Sequence, residues 1–113
     1  MEIHGFLDEK EMEAVRLFAS KVRGLLGDNL IVLKLFGSKA RGDFGAESDI
    51  DILLVVREKD WDLYYKVCSI ATDLALEFGA EISPTIITEK EFGKNRDHNT
   101  AFYESVEKEG LPV

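Results

Sequence analysis

The chain has 113 residues, enough for one domain (expected over 1–113) with a single core and too few for a second recognition domain. With 45% apolar and 32% charged residues it is no disordered chain, and no apolar run approaches the length needed to span a membrane. The net charge of −8 argues against a broad basic face for extended nucleic acid, and fits a basic protein partner or a nucleotide held through metal ions better.

One cysteine, Cys68, cannot close an internal disulfide, which suits a reducing compartment; in its helical pattern it reads as a small buried apolar residue. The opening stretch MEIHGFLDEKEMEA carries acid where a secretion signal carries base and apolar residues, so a cytoplasmic protein is expected.

Residues 8–26 read as the first helix. Asp8 can cap it, with Glu11 three residues on, and Ala14, Val15, Phe18, Val22, Leu25 and Leu26 recur on one face before Gly27. NLIVLKLFG, 29–37, reads as a strand apolar on both faces and hence central. A short turn or helix follows from Ser38 to about Gly42, then a loop, DFGAES. SDIDILLVV, 48–56, is the second strand, with Asp49, Asp51, Leu53 and Val55 on one face and Ile50, Ile52, Leu54 and Val56 on the other. Asp60 can cap a long helix through Phe78, striped by Val67, Ile70, Ala71, Leu74 and Phe78. AEISPTIIT, 80–88, reads as a third strand, which Pro84 places at an edge or a bulge. EKEFGKN opens a short helix, and TAFYESVEKEG a last amphipathic one. The order α-β-(short α)-β-α-β-α-α predicts an α+β fold, a small sheet covered by helices.

Asp49 and Asp51 stand at the mouth of a strand that runs straight into the core. Residues two apart on a strand point the same way, with Cα atoms about 6–7 Å apart. Two carboxylates so placed repel, and a divalent cation between them removes that repulsion; their oxygens suit Mg²⁺. Upstream, with ten residues between Ser38 and Asp49, Gly37 lets a ligand approach the backbone, and Ser38 can offer N–H groups and a hydroxyl to phosphate oxygens. Arg41 can share the face of that turn, and its planar fork suits phosphate better than the Lys39 ammonium. The competing reading for Lys39 is a solvated side chain, and for Arg41 an ion pair with Asp43 or Glu47. His4, His98, Trp61, Tyr64 and Tyr65 read as surface or packing residues.

Gly37-Ser38, ten residues, then Asp49-Ile50-Asp51, inside LFGSKARGDFGAESDIDILLVV, resembles the signature of the DNA polymerase β nucleotidyltransferase superfamily. The short chain is similar to its minimal nucleotidyltransferases over roughly residues 10–92. The resemblance implies a mixed sheet of three or more strands flanked by helices. It implies ATP on the Gly37-Ser38 turn, two Mg²⁺ ions on Asp49 and Asp51, and transfer of a nucleoside monophosphate, AMP above all, to a hydroxyl. It implies a third carboxylate on the next strand. Glu81 is the acid present there, with Ser83 and Thr85 on its face, and a family aspartate matching Ser83 or Thr85 would leave that ligand missing.

Minimal proteins of this resemblance are commonly antitoxins that modify a tyrosine of a HEPN-domain toxin, so such a partner is expected. The alternative is a non-catalytic module that neutralises its partner by occlusion. A small-molecule acceptor such as an aminoglycoside is disfavoured by the lack of an extra helical domain. A homo-oligomer is left open.

Overall fold

The computed structural model describes residues 6–42 and 49–113; the expected loop DFGAES at 43–48 lies outside them, as does His4. Helix α1, Glu9–Leu26, starts where the sequence signals it. Asp8 Oδ1 accepts the Glu11 N–H at 2.8 Å, and Glu11 Oε1 accepts the Asp8 N–H at 3.0 Å, a reciprocal cap. Gly27 ends it, and a 3₁₀ turn over Gly27–Asn29 leads into strand β1, Leu30–Phe36. One helical turn, α2 (Ser38–Arg41), follows, and then strand β2, Ile50–Val56. Asp60 caps helix α3, Trp61–Phe78, and Gly79 closes it. Strand β3, Ile82–Thr88, runs directly into helix α4, Glu89–Asp97, which Thr88 caps. Helix α5, Ala101–Glu109, is capped by Thr100.

A short strand, β4 (Leu111–Pro112), follows α5 and went unseen in the sequence. It pairs antiparallel with Lys34 and Leu35 of β1. The sheet order is β3-β2-β1-β4; β1 and β2 are antiparallel, β2 and β3 parallel. This is the expected α+β architecture, a mixed sheet with helices on both faces.

β2 is near-continuously apolar because it is flanked by strands and covered on both faces. Ile50, Ile52, Leu54 and Val56 join Val15, Phe18 and Val22 of α1 and Val67 and Leu74 of α3 in the larger core. Leu53 and Val55 turn the other way, to Val106 and Phe102 of α5 and Phe92 of α4. Asp51 alternates with these and belongs to the α4/α5 face.

β3 is the edge strand that Pro84 predicted. The Glu81 carbonyl faces β2, where it accepts the Ile50 N–H at 2.8 Å. By strand alternation Pro84 and Ile86 present their backbone to the open side. The proline therefore removes no ladder bond, and Lys59 Nζ reaches the Ile86 carbonyl at 3.3 Å. Both features blunt the edge against pairing with another strand.

Candidate active site

The site forms where β1 leaves the sheet and β2 enters it. Asp51 is the register partner of Phe36 on β1 and of Ser83 on β3. Gly37 comes next after Phe36 and turns the chain with φ +79°, a conformation that L side chains rarely adopt. A Cβ there would lie 2.4 Å from Asp51 Oδ2. The glycine's first duty is thus to admit the Asp51 carboxylate against the backbone.

Burial pushes the Asp51 carboxyl above its ordinary range, the neighbouring Asp49 charge pushes it the same way, and the Arg41 guanidinium pulls it back. Asp49 itself is exposed. Asp51 therefore feels the charges of both Asp49 and Arg41. The donor set is all oxygen and doubly negative, which fits a hard divalent cation such as Mg²⁺. Among the described residues no three His, Cys, Asp or Glu side chains gather as a metal cage. The protein supplies two carboxylates, and a bound ion would complete its shell with phosphate and water oxygens.

α2 is held by its own first turn, where the Ala40 and Arg41 N–H groups donate to the Gly37 carbonyl at 3.1 Å. Gly37 carries no side chain to cap it, and Ser38 beside it is half-buried. Lys39 and Arg41 leave this helix in different directions. The Lys39 ammonium is buried and lies 3.0 Å from Glu11 Oε2 on α1. It is not the solvated side chain weighed above, and its ion pair holds α2 against α1. Arg41 Nη1 lies 3.3 Å from Glu109 Oε2 at the end of α5, and Ser105 Oγ donates to the same oxygen at 3.4 Å. The candidate phosphate arginine is thus tied to the last helix.

Glu81 is exposed just before β3, where it lines a cleft of about 490 Å³ with Asp49, Tyr64, Cys68, Thr72 and Leu76. The position directly beside Asp51 on β3 is Ser83. A larger concavity of about 750 Å³ lies at the opposite end of the sheet; two of its cations, Lys59 and Lys66, are engaged by Glu91 and Asp62. It has no pair of carboxylates facing a glycine turn.

Sequence reasoning missed Glu109 as a partner of Arg41 and Glu11 as a partner of Lys39. Each pair joins elements far apart in the chain, so no local spacing announces it. The alternative ion pair of Arg41 with Asp43 or Glu47 lies outside the described residues. Cys68, expected as buried, is half-buried and lines the cleft.

Residues 21–110 match the family described as "Polymerase beta, Nucleotidyltransferase". Two provisionally named protein adenylyltransferases of Methanocaldococcus jannaschii are similar over nearly the whole chain. One is 35% identical over 100 residues, 88% of this chain and 94% of the relative. The other is 35% identical over 103 residues, 90% of this chain and 97% of the relative. Among solved structures, the crystal structure of a toxin–antitoxin MntA–HpeT mutant shares the fold, with a TM-score of 0.51 and 19% identity over 81% of this chain and 66% of that one.

Proposed function

Because the chain belongs to the polymerase beta nucleotidyltransferase family, we propose that its residues 1–113 act as one domain that moves AMP from ATP to a hydroxyl of a protein partner, a tyrosine of a HEPN-domain toxin, and so serve as a cytoplasmic antitoxin. The observation that supports this most is Asp51 lodged against Gly37 while it feels the charges of Asp49 and Arg41. A triphosphate needs a glycine-framed turn, an arginine and two carboxylates within one small volume, and these are the residues gathered there.

In this reading Gly37 and Ser38 take the β- and γ-phosphates, with Arg41 beside them. Asp49 and Asp51 would hold Mg²⁺, two ions with nucleotide bound, which would neutralise phosphate charge and stabilise the charge that develops during the transfer. The acceptor oxygen bonds to the α-phosphorus, the bond to the β-phosphate oxygen breaks, and pyrophosphate leaves. The acceptor proton passes to a carboxylate or solvent; in this reading Glu81, which lines the cleft with Asp49, takes it. The protein's work is positioning and charge stabilisation, since no protein nucleophile is required.

The relatives' name as protein adenylyltransferases supports a protein acceptor. A second reading, occlusion of the partner without transfer, draws on Ser83 standing beside Asp51 where a third carboxylate would complete the set. One experiment separates the two. α-Labelled ATP, Mg²⁺ and a co-encoded HEPN protein are incubated with the wild type and with Asp49→Asn/Asp51→Asn. Label on the partner with wild type alone supports transfer. An unlabelled partner, inhibited equally by both proteins, overturns it in favour of occlusion.

A further inference from the structure

Among the described residues, helix α3 is covered on one side only. Val67, Ala71 and Leu74 are buried against the sheet, whereas Trp61, Tyr65 and Leu76 keep 84%, 73% and 82% of their surface exposed. With 3.6 residues per turn, Trp61, Tyr65, Cys68, Thr72 and Leu76 fall along one seam. Tyr64 stacks edge to face on Trp61, with ring centroids 6.0 Å apart. Large apolar and aromatic side chains aligned in the open mark a protein-binding surface.

The flanks of the seam define its occupant. Helical spacing sets Asp62, Asp73 and Glu77 along one side, and the cation between them, Lys66, is 3.0 Å from Asp62. The other side is the 490 Å³ cleft, which ends on Asp49 and Glu81. A second copy of the chain would set these acids against themselves, in a protein already carrying a net charge of −8. Strand addition at the neighbouring β3 edge is blunted by Pro84 and Lys59. What complements the surface is a helix with an apolar stripe edged by lysine and arginine.

We infer that the α3 seam is the docking surface for the acceptor protein, which binds it through a basic-edged amphipathic helix and is thereby laid along the cleft toward Asp49. This rests on the transfer reading above. From Tyr64 to Leu76 the helix advances about 18 Å. The seam thus grips the partner away from the reacting atoms, and the acceptor hydroxyl comes in at the Asp49 end.

Trp61 is the only tryptophan of the chain, so its emission reports on the seam directly. The probe is a synthetic amphipathic helix of leucine and lysine, with a leucine–glutamate counterpart as control. The lysine peptide is expected to shift Trp61 emission to the blue and the glutamate peptide to leave it unchanged. Tyr65→Ser and Leu76→Ser, both at exposed positions, are expected to weaken binding about tenfold or more. Added salt should weaken it further. An unmoved emission, equal shifts with both peptides, or undiminished binding by the variants overturns the inference. So does sedimentation of the protein alone as a dimer that Leu76→Ser dissociates. ATP–Mg²⁺ binding by equilibrium dialysis on the same proteins keeps the two ideas apart. Retained nucleotide binding without peptide binding removes the seam alone, and a wild type that binds no nucleotide removes the transfer reading and the acceptor role with it.

Discussion

The carboxylate of Asp51 fills the place where a side chain on Gly37 would begin. The separation to an added Cβ would be 2.4 Å, and the glycine's φ of +79° already disfavours any L residue. Gly37→Ala therefore meets two penalties at once, backbone strain and displacement of Asp51. The strain is on the order of 1–3 kcal/mol. Urea denaturation should show a loss of that size, and nucleotide binding should weaken even at denaturant-free temperatures where the variant is fully folded. A variant with unchanged midpoint and unchanged affinity would show that the turn relaxes freely.

Asp51 carries its charge against its own fold. Its carboxyl is held above the ordinary value by burial first and by Asp49 second. A carboxylate raised in the folded state destabilises that state while ionised, and the penalty fades as pH falls through the raised value. Asp51→Asn is therefore expected to keep or raise the thermal midpoint at neutral pH while abolishing AMP transfer. Asp49→Asn should bring the Asp51 titration back down, which carboxyl NMR can follow. A lower midpoint for Asp51→Asn would mean that the acid serves the fold rather than the reaction.

Arg41 stands between two anions of its own chain, 3.3 Å from Glu109 and close enough to Asp51 to lower its titration. Arg41→Ala should weaken ATP binding about 10- to 100-fold, the scale of a lost charged hydrogen bond. It should also move the acid limb of the transfer–pH profile upward, because the group that restrains Asp51 is gone. Glu109→Gln removes an anion that competes with the triphosphate for the guanidinium. Affinity should then improve about 1.5- to 5-fold, as a half-exposed pair allows. If Glu109→Gln weakens binding instead, the glutamate orients Arg41 rather than opposing its ligand.

At the far end of the sheet Glu91 sets a separate pH dependence. The Thr88 N–H and then the Lys59 ammonium bring its carboxyl from 4.5 down to about 2. A depressed carboxylate stabilises the fold above its ordinary value and loses that contribution as pH falls through the folded value. The thermal midpoint of wild type should therefore drop between pH 4.5 and about 2 more steeply than that of Glu91→Gln. The difference should be modest, since the group is exposed and solvent-screened. Parallel curves would show that the cap hydrogen bonds survive protonation.

Much of this was legible because local chemistry announces it. Asp8 with Glu11, and Asp60, are side-chain caps that start helices wherever apolar periodicity follows. Pro84, through its missing donor, announced an edge or a bulge, and β3 is an edge strand; the glycine turn with its paired aspartates pointed to the candidate site. β4 was not legible, since a strand of two residues, Leu111 and Pro112, has no period to detect. Nor were the partners of Lys39 and Arg41, whose choice depends on where α1 and α5 come to lie.

That last point gives the sharpest test of the phosphate assignment, because in sequence only the shape of the charged group ranks Arg41 above Lys39. Lys39 is 6% exposed and its Nζ is 3.0 Å from Glu11 Oε2, while Glu11 Oε1 keeps its place in the α1 cap. Glu11→Gln preserves the cap acceptor and removes the Glu11 charge from beside the buried Lys39 ammonium. Breaking such a pair from one side typically destabilises by about 3–5 kcal/mol. Lys39→Met with Glu11→Gln removes the charge on both sides and should recover most of that loss, because an apolar chain of similar length suits the burial. The double variant should still bind ATP–Mg²⁺ with near wild-type affinity if the ammonium belongs to the α1–α2 contact. Loss of nucleotide binding in a double variant that melts like wild type would return Lys39 to the phosphate site and show that it releases Glu11 when nucleotide arrives.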